Sequence, residues 1–217
     1  MKVYFISGLA ADRRVFKHIR LPEGYEAVYL DWIDPQPGES LGDYALRLAL
    51  PIDTTEPFAL IGLSMGGMIA TEISKRLDSS ALVLISSVPL ASHLPGYFRI
   101  AATLRLHKVV PIGLVKASAK MKRLFTVETN EDKIMLRQII QDSDNRFIRW
   151  AMDAILKWKN DQLPVVYTHI HGTRDEVLPL RFTRPTHIIK KAGHLMVMTN
   201  AREVNRIIAD TLKKTPA

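Results

Sequence analysis

Three residues in this chain have the types that nucleophilic acyl chemistry needs: Ser64, Asp175 and His194. A serine hydroxyl is a weak nucleophile at neutral pH. It needs a base to take its proton, and the base needs a third group to fix its tautomer. Ser64 sits in Gly62-Leu63-Ser64-Met65-Gly66, after the apolar run of residues 58–61 and before Met65, Ile69, Ile73 and Leu77 at helical spacing. A serine between glycines at a strand-to-helix junction stands on a sharp, strained turn with its hydroxyl exposed. Strand and helix then pack so closely that a Cβ at Gly62 or Gly66 has no space. Taken alone, such a glycine pair also fits plain helix–strand packing. The joint occurrence of Ser64, Asp175 and His194, each just after a predicted strand, carries more weight.

The elements that must hold these residues read as strands alternating with helices. Strands are expected over residues 3–7, 25–30, 58–61, 81–85, 165–170 and 186–189. The unbroken run Ala81-Leu82-Val83-Leu84-Ile85 fits a parallel strand covered on both faces. Val15, Phe16 and Ile19 mark a short helix, preceded by Asp12 and Arg13, for which a helix-start role is preferred to a place bordering the site. Ser40 with Asp43 three residues on has capping-box spacing, ahead of the apolar face Leu41, Tyr44, Ala45 and Leu48 and the stop at Pro51. Asn200 is expected to cap a last helix whose buried face is Val204, Ile207, Ile208 and Leu212. The alternation predicts an α/β sheet, and ligands bind at the carboxyl ends of its strands.

Between residues 89 and 160 no strand pattern appears, and helical stretches break near Pro95, Pro111 and Asn130. The domain reading is a core of residues 1–88 and 161–217 with a helical cap inserted at 89–160. Within it Arg99, Arg105, Lys108, Lys116, Lys120, Lys122 and Arg123 stand without an acidic residue, interleaved with Leu104, Leu106, Val109, Leu114, Val115, Met121, Leu124 and Phe125. A solvated basic face is preferred to an anion-attracting or lipid-binding one.

The 217 residues suit one domain, and 47% hydrophobic content supplies a sizeable core. The net charge is +8, but no nucleic-acid-binding signature accompanies it. No apolar run approaches the ~20 residues of a membrane span. The apolar start of the chain is short and runs into Asp12-Arg13-Arg14, so it is read as a strand rather than a leader. There is no cysteine, which removes disulfides and thiolate metal sites and fits a cytoplasmic location.

The chain resembles the α/β-hydrolase superfamily almost end to end. The resemblance rests on Gly62-Leu63-Ser64-Met65-Gly66-Gly67, on His171-Gly172-Thr173-Arg174-Asp175-Glu176-Val177-Leu178-Pro179, and on Ala192-Gly193-His194. It implies Ser64 as nucleophile, Asp175 as acid and His194 as base. Ser7-Gly8-Leu9 takes the place of the oxyanion loop, so the N–H groups of Leu9 and Met65 are the implied oxyanion hole. Ser7 and Leu63 stand where many members carry histidine. The two N-terminal antiparallel strands of larger members are missing, so the sheet should be parallel, with about six strands, and the cap inserted after the fourth.

Glu176 adjoins Asp175, and the resemblance favours Asp175 as the acid. Ser86-Ser87 stands where some members keep an alternative acid. His171 is read as structural at a strand end, and His18, His93, His107, His169 and His187 as structural or surface. Tyr97, Phe98, Phe125, Trp150 and Trp158 are core or acyl-pocket candidates. No spacing suggests a metal site, the His169/His171 pair being weak evidence, and no cofactor is expected. The function implied is a serine hydrolase acting on an ester or related acyl bond of a small molecule. The same residues would also serve a thioesterase or C–C hydrolase, and less readily a non-catalytic binding protein. The partner is then a small acyl substrate rather than nucleic acid or a membrane surface.

Overall fold

The fully apolar run of residues 81–85 becomes β4 (Ala81–Ile85), and it is buried at every position, as is β3 (Phe58–Leu63). A strand can be apolar on both sides only at the middle of a sheet covered on both faces. These two lie there in a computed structural model that describes residues 1–103, 111–119 and 129–214. The six strands run in the order β2-β1-β3-β4-β5-β6, with β1 at Lys2–Ile6, β2 at Glu26–Tyr29, β5 at Thr168–Gly172 and β6 at His187–Ile189. Every pairing is parallel, from Lys2 opposite Glu26 and Phe58 to Gly172 opposite Ile189. The expected trimmed parallel sheet is therefore present.

Alternation along the strands divides the core. Val3, Phe5, Ile61 and Val83 face one side and meet Val204, Ile207 and Ile208 of the last helix, α8 (Ala201–Lys213). Tyr4, Ile6, Leu60 and Leu82 face the other side and meet α1 (Leu41–Leu48) and α2 (Met65–Ser74). Ser40 Oγ accepts from the Asp43 N–H, as its position predicts.

Between β4 and β5 the described residues form α3 (Gly96–Thr103), α4 (Ile112–Ala119), α5 (Asn130–Asp142) and α6 (Asn145–Lys157). Thr129 caps α5 through the Asp132 N–H, and Asp144 caps α6 through the Phe147 N–H. The two longer helices part company. Leu136, Ile139 and Ile140 of α5 join one core, and Phe147, Ala151 and Ile155 of α6 join the other. Polar ties hold both. Arg14 bridges Asp12 and Asp142 at 2.6 and 2.7 Å, and Lys17 reaches Asp132 at 2.7 Å. Just past the end of α6 the Trp158 indole N–H donates to Glu72 at 2.7 Å, and on α6 that of Trp150 donates to the Glu39 carbonyl at 3.0 Å.

Several expectations shift. The strand expected over residues 165–170 starts later, because β5 pairs with β4 only from Thr168 opposite Val83; Val165 and Val166 are exposed instead. Asn200 makes no side-chain cap: a helical turn, α7 (Met196–Thr199), precedes it, and its side chain accepts from the Thr199 hydroxyl. Leu77 lies beyond the end of α2 and packs only partly on the core. Asp12 caps the 3-10 turn Arg13–Phe16. Of the basic stretch, Lys116 donates to the Gln141 and Ser143 carbonyls near the end of α5. Arg105, Lys108, Lys120, Lys122 and Arg123 lie outside the described residues, as do Leu104, Leu106, His107, Val109, Met121, Leu124, Phe125 and Thr215 to Ala217. Among the described residues no helix is long and apolar enough to cross a membrane.

The Asp132 carboxylate is buried and shared by Lys17 and His18. Burial pushes its carboxyl up, and these partners together with the Thr129 hydroxyl outweigh that and hold it below the usual range. Removing it deletes charge-assisted hydrogen bonds that tie α5 to the chain near β1. Asp132→Ala should lower stability by about 1.5–3 kcal/mol, read as a drop in urea midpoint at unchanged slope.

Candidate active site

β3 ends at Leu63 and α2 begins at Met65, leaving Ser64 as the whole turn. Its backbone takes φ 53° and ψ −119°, a conformation strained for a residue with a Cβ. The surroundings enforce it. The Ser64 N–H donates to the Ile85 carbonyl at 2.9 Å, and the Ser64 carbonyl accepts from the Ser87 hydroxyl at 2.7 Å and the Gly67 N–H at 2.9 Å. A Cβ at Gly62 would stand 2.5 Å from Gly67 Cα, and one at Gly66 would collide with the Ile6 and Ser7 carbonyls. The α2 N-terminus is thus pressed against both its own strand and the end of β1. Ser87, at the place where some members of the resembled superfamily keep an acid, steadies the turn with its hydroxyl.

β1 and β3 are also where the strand order reverses, since the chain adds β2 on one side of β1 and β3 on the other. Crevices for ligands open at such a switch point. The loop after β1 contributes Leu9 to the same pocket that Ser64, Met65 and His194 line. Met65 is the first residue of α2, so its N–H has no partner within the helix.

His194 follows β6, and Asp175 follows β5. Their two loops are laced together by Arg174 N–H to Ala192 carbonyl at 2.9 Å and Lys191 N–H to Thr173 hydroxyl at 2.8 Å. The result is one chain of contacts: His194 Nδ1 lies 2.8 Å from Asp175 Oδ2, and His194 Nε2 lies 2.9 Å from Ser64 Oγ. Asp175 Oδ1 accepts from the Val177 and Leu178 N–H groups at 2.9 and 2.8 Å. Burial alone would raise this carboxyl, but His194, His171 and the Leu178 N–H outweigh it and hold the pKa below the usual value. An ionised carboxylate only accepts, so His194 Nδ1 carries a proton, and in the neutral imidazole Nε2 is then the acceptor that faces the serine hydroxyl. Glu176, the other acid considered, is exposed.

Behind the acid lie two more buried histidines. His171 Nε2 is 2.7 Å from the Leu178 carbonyl, so it must donate there, and its Nδ1 accepts from His169 Nε2 at 3.3 Å. His171 thus serves as the structural residue expected at the strand end. Burial and the neighbouring His171 push the His169 pKa down to about 3, and burial lowers that of His171. Both rings are neutral, and His169 Nδ1 has no hydrogen-bond partner among the described residues.

Of the aromatic candidates, Phe98 lines the pocket beside Ser64. The Tyr97 hydroxyl donates to the Val177 carbonyl at 3.2 Å, and Trp150 packs on Tyr44 with ring centroids 4.3 Å apart. The pocket also takes in Met68, Leu136, Ile140 and Ile155, which the sequence did not single out. Apolar residues at helical spacing look alike whether they face a filled core or border a cavity. Among the described residues no group of three or more His, Asp or Glu side chains could hold a metal ion.

Comparison with known proteins agrees with this architecture. Residues 3–207 match the model of the alpha/beta hydrolase family, and the chain belongs to that family. No curated protein is significantly similar in sequence. Among solved structures, MenH from S. aureus superposes with a TM-score of 0.77 at 17% identity, covering 99% of this chain and 94% of that one. The enol-lactonase from Burkholderia xenovorans LB400 gives 0.76 at 15% identity, covering 98% and 91%. An esterase from Exiguobacterium antarcticum gives 0.74 at 16% identity, covering 98% and 92%. At these identities the likeness is one of fold.

The neutral histidine pair makes stability depend on pH. Unfolded histidines take up a proton below about 6.5, whereas native His169 stays neutral down to about 3. This contribution to stability is therefore present above pH 6.5 and is lost as pH falls below it, at a slope approaching about 1.4 kcal/mol per pH unit for His169, with His171 acting in the same direction. Urea titrations between pH 7 and 5 should show this slope, and His169→Gln, which keeps a donor for His171, should make it shallower.

Proposed function

We propose that this member of the alpha/beta hydrolase family is a serine hydrolase that cleaves an ester or related acyl bond of a small molecule. One observation carries the reading: the unbroken hydrogen-bonded path from buried Asp175 through His194 to the hydroxyl of Ser64, which opens on a pocket. The named activities of two similar folds, an esterase and an enol-lactonase, are compatible with it.

In this mechanism Ser64 Oγ attacks the substrate carbonyl carbon while His194 Nε2 takes the hydroxyl proton. The carbonyl oxygen becomes an oxyanion, held by the N–H groups of Leu9 and Met65 as preorganised donors. The tetrahedral intermediate collapses, the bond to the leaving oxygen breaks, and His194 returns the proton to it. Water then adds to the acyl-enzyme with His194 again as base, which releases the acid and restores Ser64. Asp175 holds the imidazole in the required tautomer and stabilises the imidazolium. Residues 89–160 act as the cap in this reading, because Phe98, Leu136, Ile140 and Ile155 wall the pocket next to the serine. A cytoplasmic setting belongs to the same proposal and suits a chain without cysteine.

A fluorophosphonate probe should label the protein at Ser64. Ser64→Ala should abolish labelling and lower ester turnover by about ten-thousandfold or more, while leaving the urea midpoint nearly unchanged. Undiminished labelling of Ser64→Ala would remove Ser64 from the role.

A further inference from the structure

We infer that the acyl group of the substrate is uncharged, apolar and compact, of about six carbons or a single ring; this rests on the serine-hydrolase reading above. The pocket at Ser64 has a volume of about 140 Å³. That is well below the range of about 300–1,000 Å³ that encloses drug-sized ligands. It is close to the roughly 150 Å³ of an apolar cavity that takes benzene. Size alone therefore limits what can sit beside the serine.

Chemistry limits it further. Among the described residues that line the pocket, only Ser64 and His194 have polar side chains. The rest of its wall is apolar, with Met68 from α2, Phe98 from α3, Leu136 and Ile140 from α5, and Ile155 from α6. Although the chain carries a net charge of +8, none of its described cations lines this space. Arg174, Arg181 and Lys191 line a different, open groove of about 1040 Å³. A carboxylate placed beside Ser64 would lose its water and find no cation in return among the described residues, which is strongly unfavourable. An alkyl or phenyl group gives up no hydration of a charge and gains contact with this apolar wall.

Leu136 and Ile140 are four residues apart on α5 and so lie on one face of it. Both reach the pocket, which makes them the residues that set the length limit.

The test is a series of p-nitrophenyl esters on the full chain, with Ser64 labelling measured in parallel. kcat/KM should rise from acetate to butanoate or hexanoate and fall at least about tenfold by decanoate, since methylenes that do not fit a small apolar pocket are rejected by such factors. The p-nitrophenyl monoester of succinic acid should be at least about tenfold poorer than the butanoate. Leu136→Ala and Ile140→Ala should each raise the decanoate-to-hexanoate ratio at least about threefold; if one fails to fold, the other and the wild-type series still decide. Enzyme that is labelled at Ser64 but prefers decanoate, or accepts the succinate ester as well as the butanoate, overturns the inference and leaves the hydrolase reading standing. A ratio unmoved in both variants removes Leu136 and Ile140 as the limiting wall. Neither labelling nor turnover of any ester overturns the hydrolase reading, and this inference with it.

Discussion

The close approach of α2 to the strands beneath it is the constraint on which the rest depends. Gly66 lies against the carbonyls at the end of β1, and Gly62 against the first turn of α2. With no space for a Cβ on either side, the backbone has one residue in which to reverse, and Ser64 absorbs that in a left-handed conformation. Steric exclusion thus does two things at once. It lifts a hydroxyl clear of the sheet, and it brings the start of a helix, with its unpaired N–H groups, beside that hydroxyl. The strain is held by bonds from a neighbouring strand end, Ile85 and Ser87, so the turn cannot relax without disturbing β4.

The inserted helices stand in a different relation to the sheet. They are tied to it by side chains rather than by backbone pairing. α5 is fastened by ion pairs to residues just after β1, and α6 by indole N–H groups to the carboxylate of Glu72 and the carbonyl of Glu39. Their apolar faces divide between the two cores. The pocket beside Ser64 is bounded below by the sheet and α2 and above by these helices, so its wall combines elements held in two ways.

Much of this was legible in the residues. The sheet was, because parallel strands covered on both faces are apolar at consecutive positions, as in residues 81–85, and because Ser40 and Asp43 mark a helix start by local chemistry alone. The order of Ser64, Asp175 and His194 was legible because each follows a strand that ends at the same edge. The exact start of β5 was not. Val165 and Val166 have the composition of a strand, but pairing with β4 starts only at Thr168 opposite Val83, and that is a property of register between distant segments. Asn200 likewise has a capping side chain, but the Glu203 and Val204 N–H groups donate to its main-chain carbonyl, and its side chain accepts from the Thr199 hydroxyl instead. The pocket was hidden for a related reason. Leu136, Ile140 and Ile155 carry the same helical signature whether they face a filled core or a small void, and pattern does not record volume.

The parallel sheet has a further consequence, in the order in which the chain can assemble. β4 pairs with β5 across the whole inserted segment, and the contact between Ser64 and His194 joins residues 130 apart. Closing so long a loop costs entropy before the contact returns anything, and topologies rich in such distant pairings fold slowly. The N-terminal half, with β1 to β4 and two helices, can form from nearer neighbours as it is made. The acid and the base arrive only with the last two strands. The hydroxyl of Ser64 therefore waits, on its turn, for the end of the chain, because the group that takes its proton is among the last to be made.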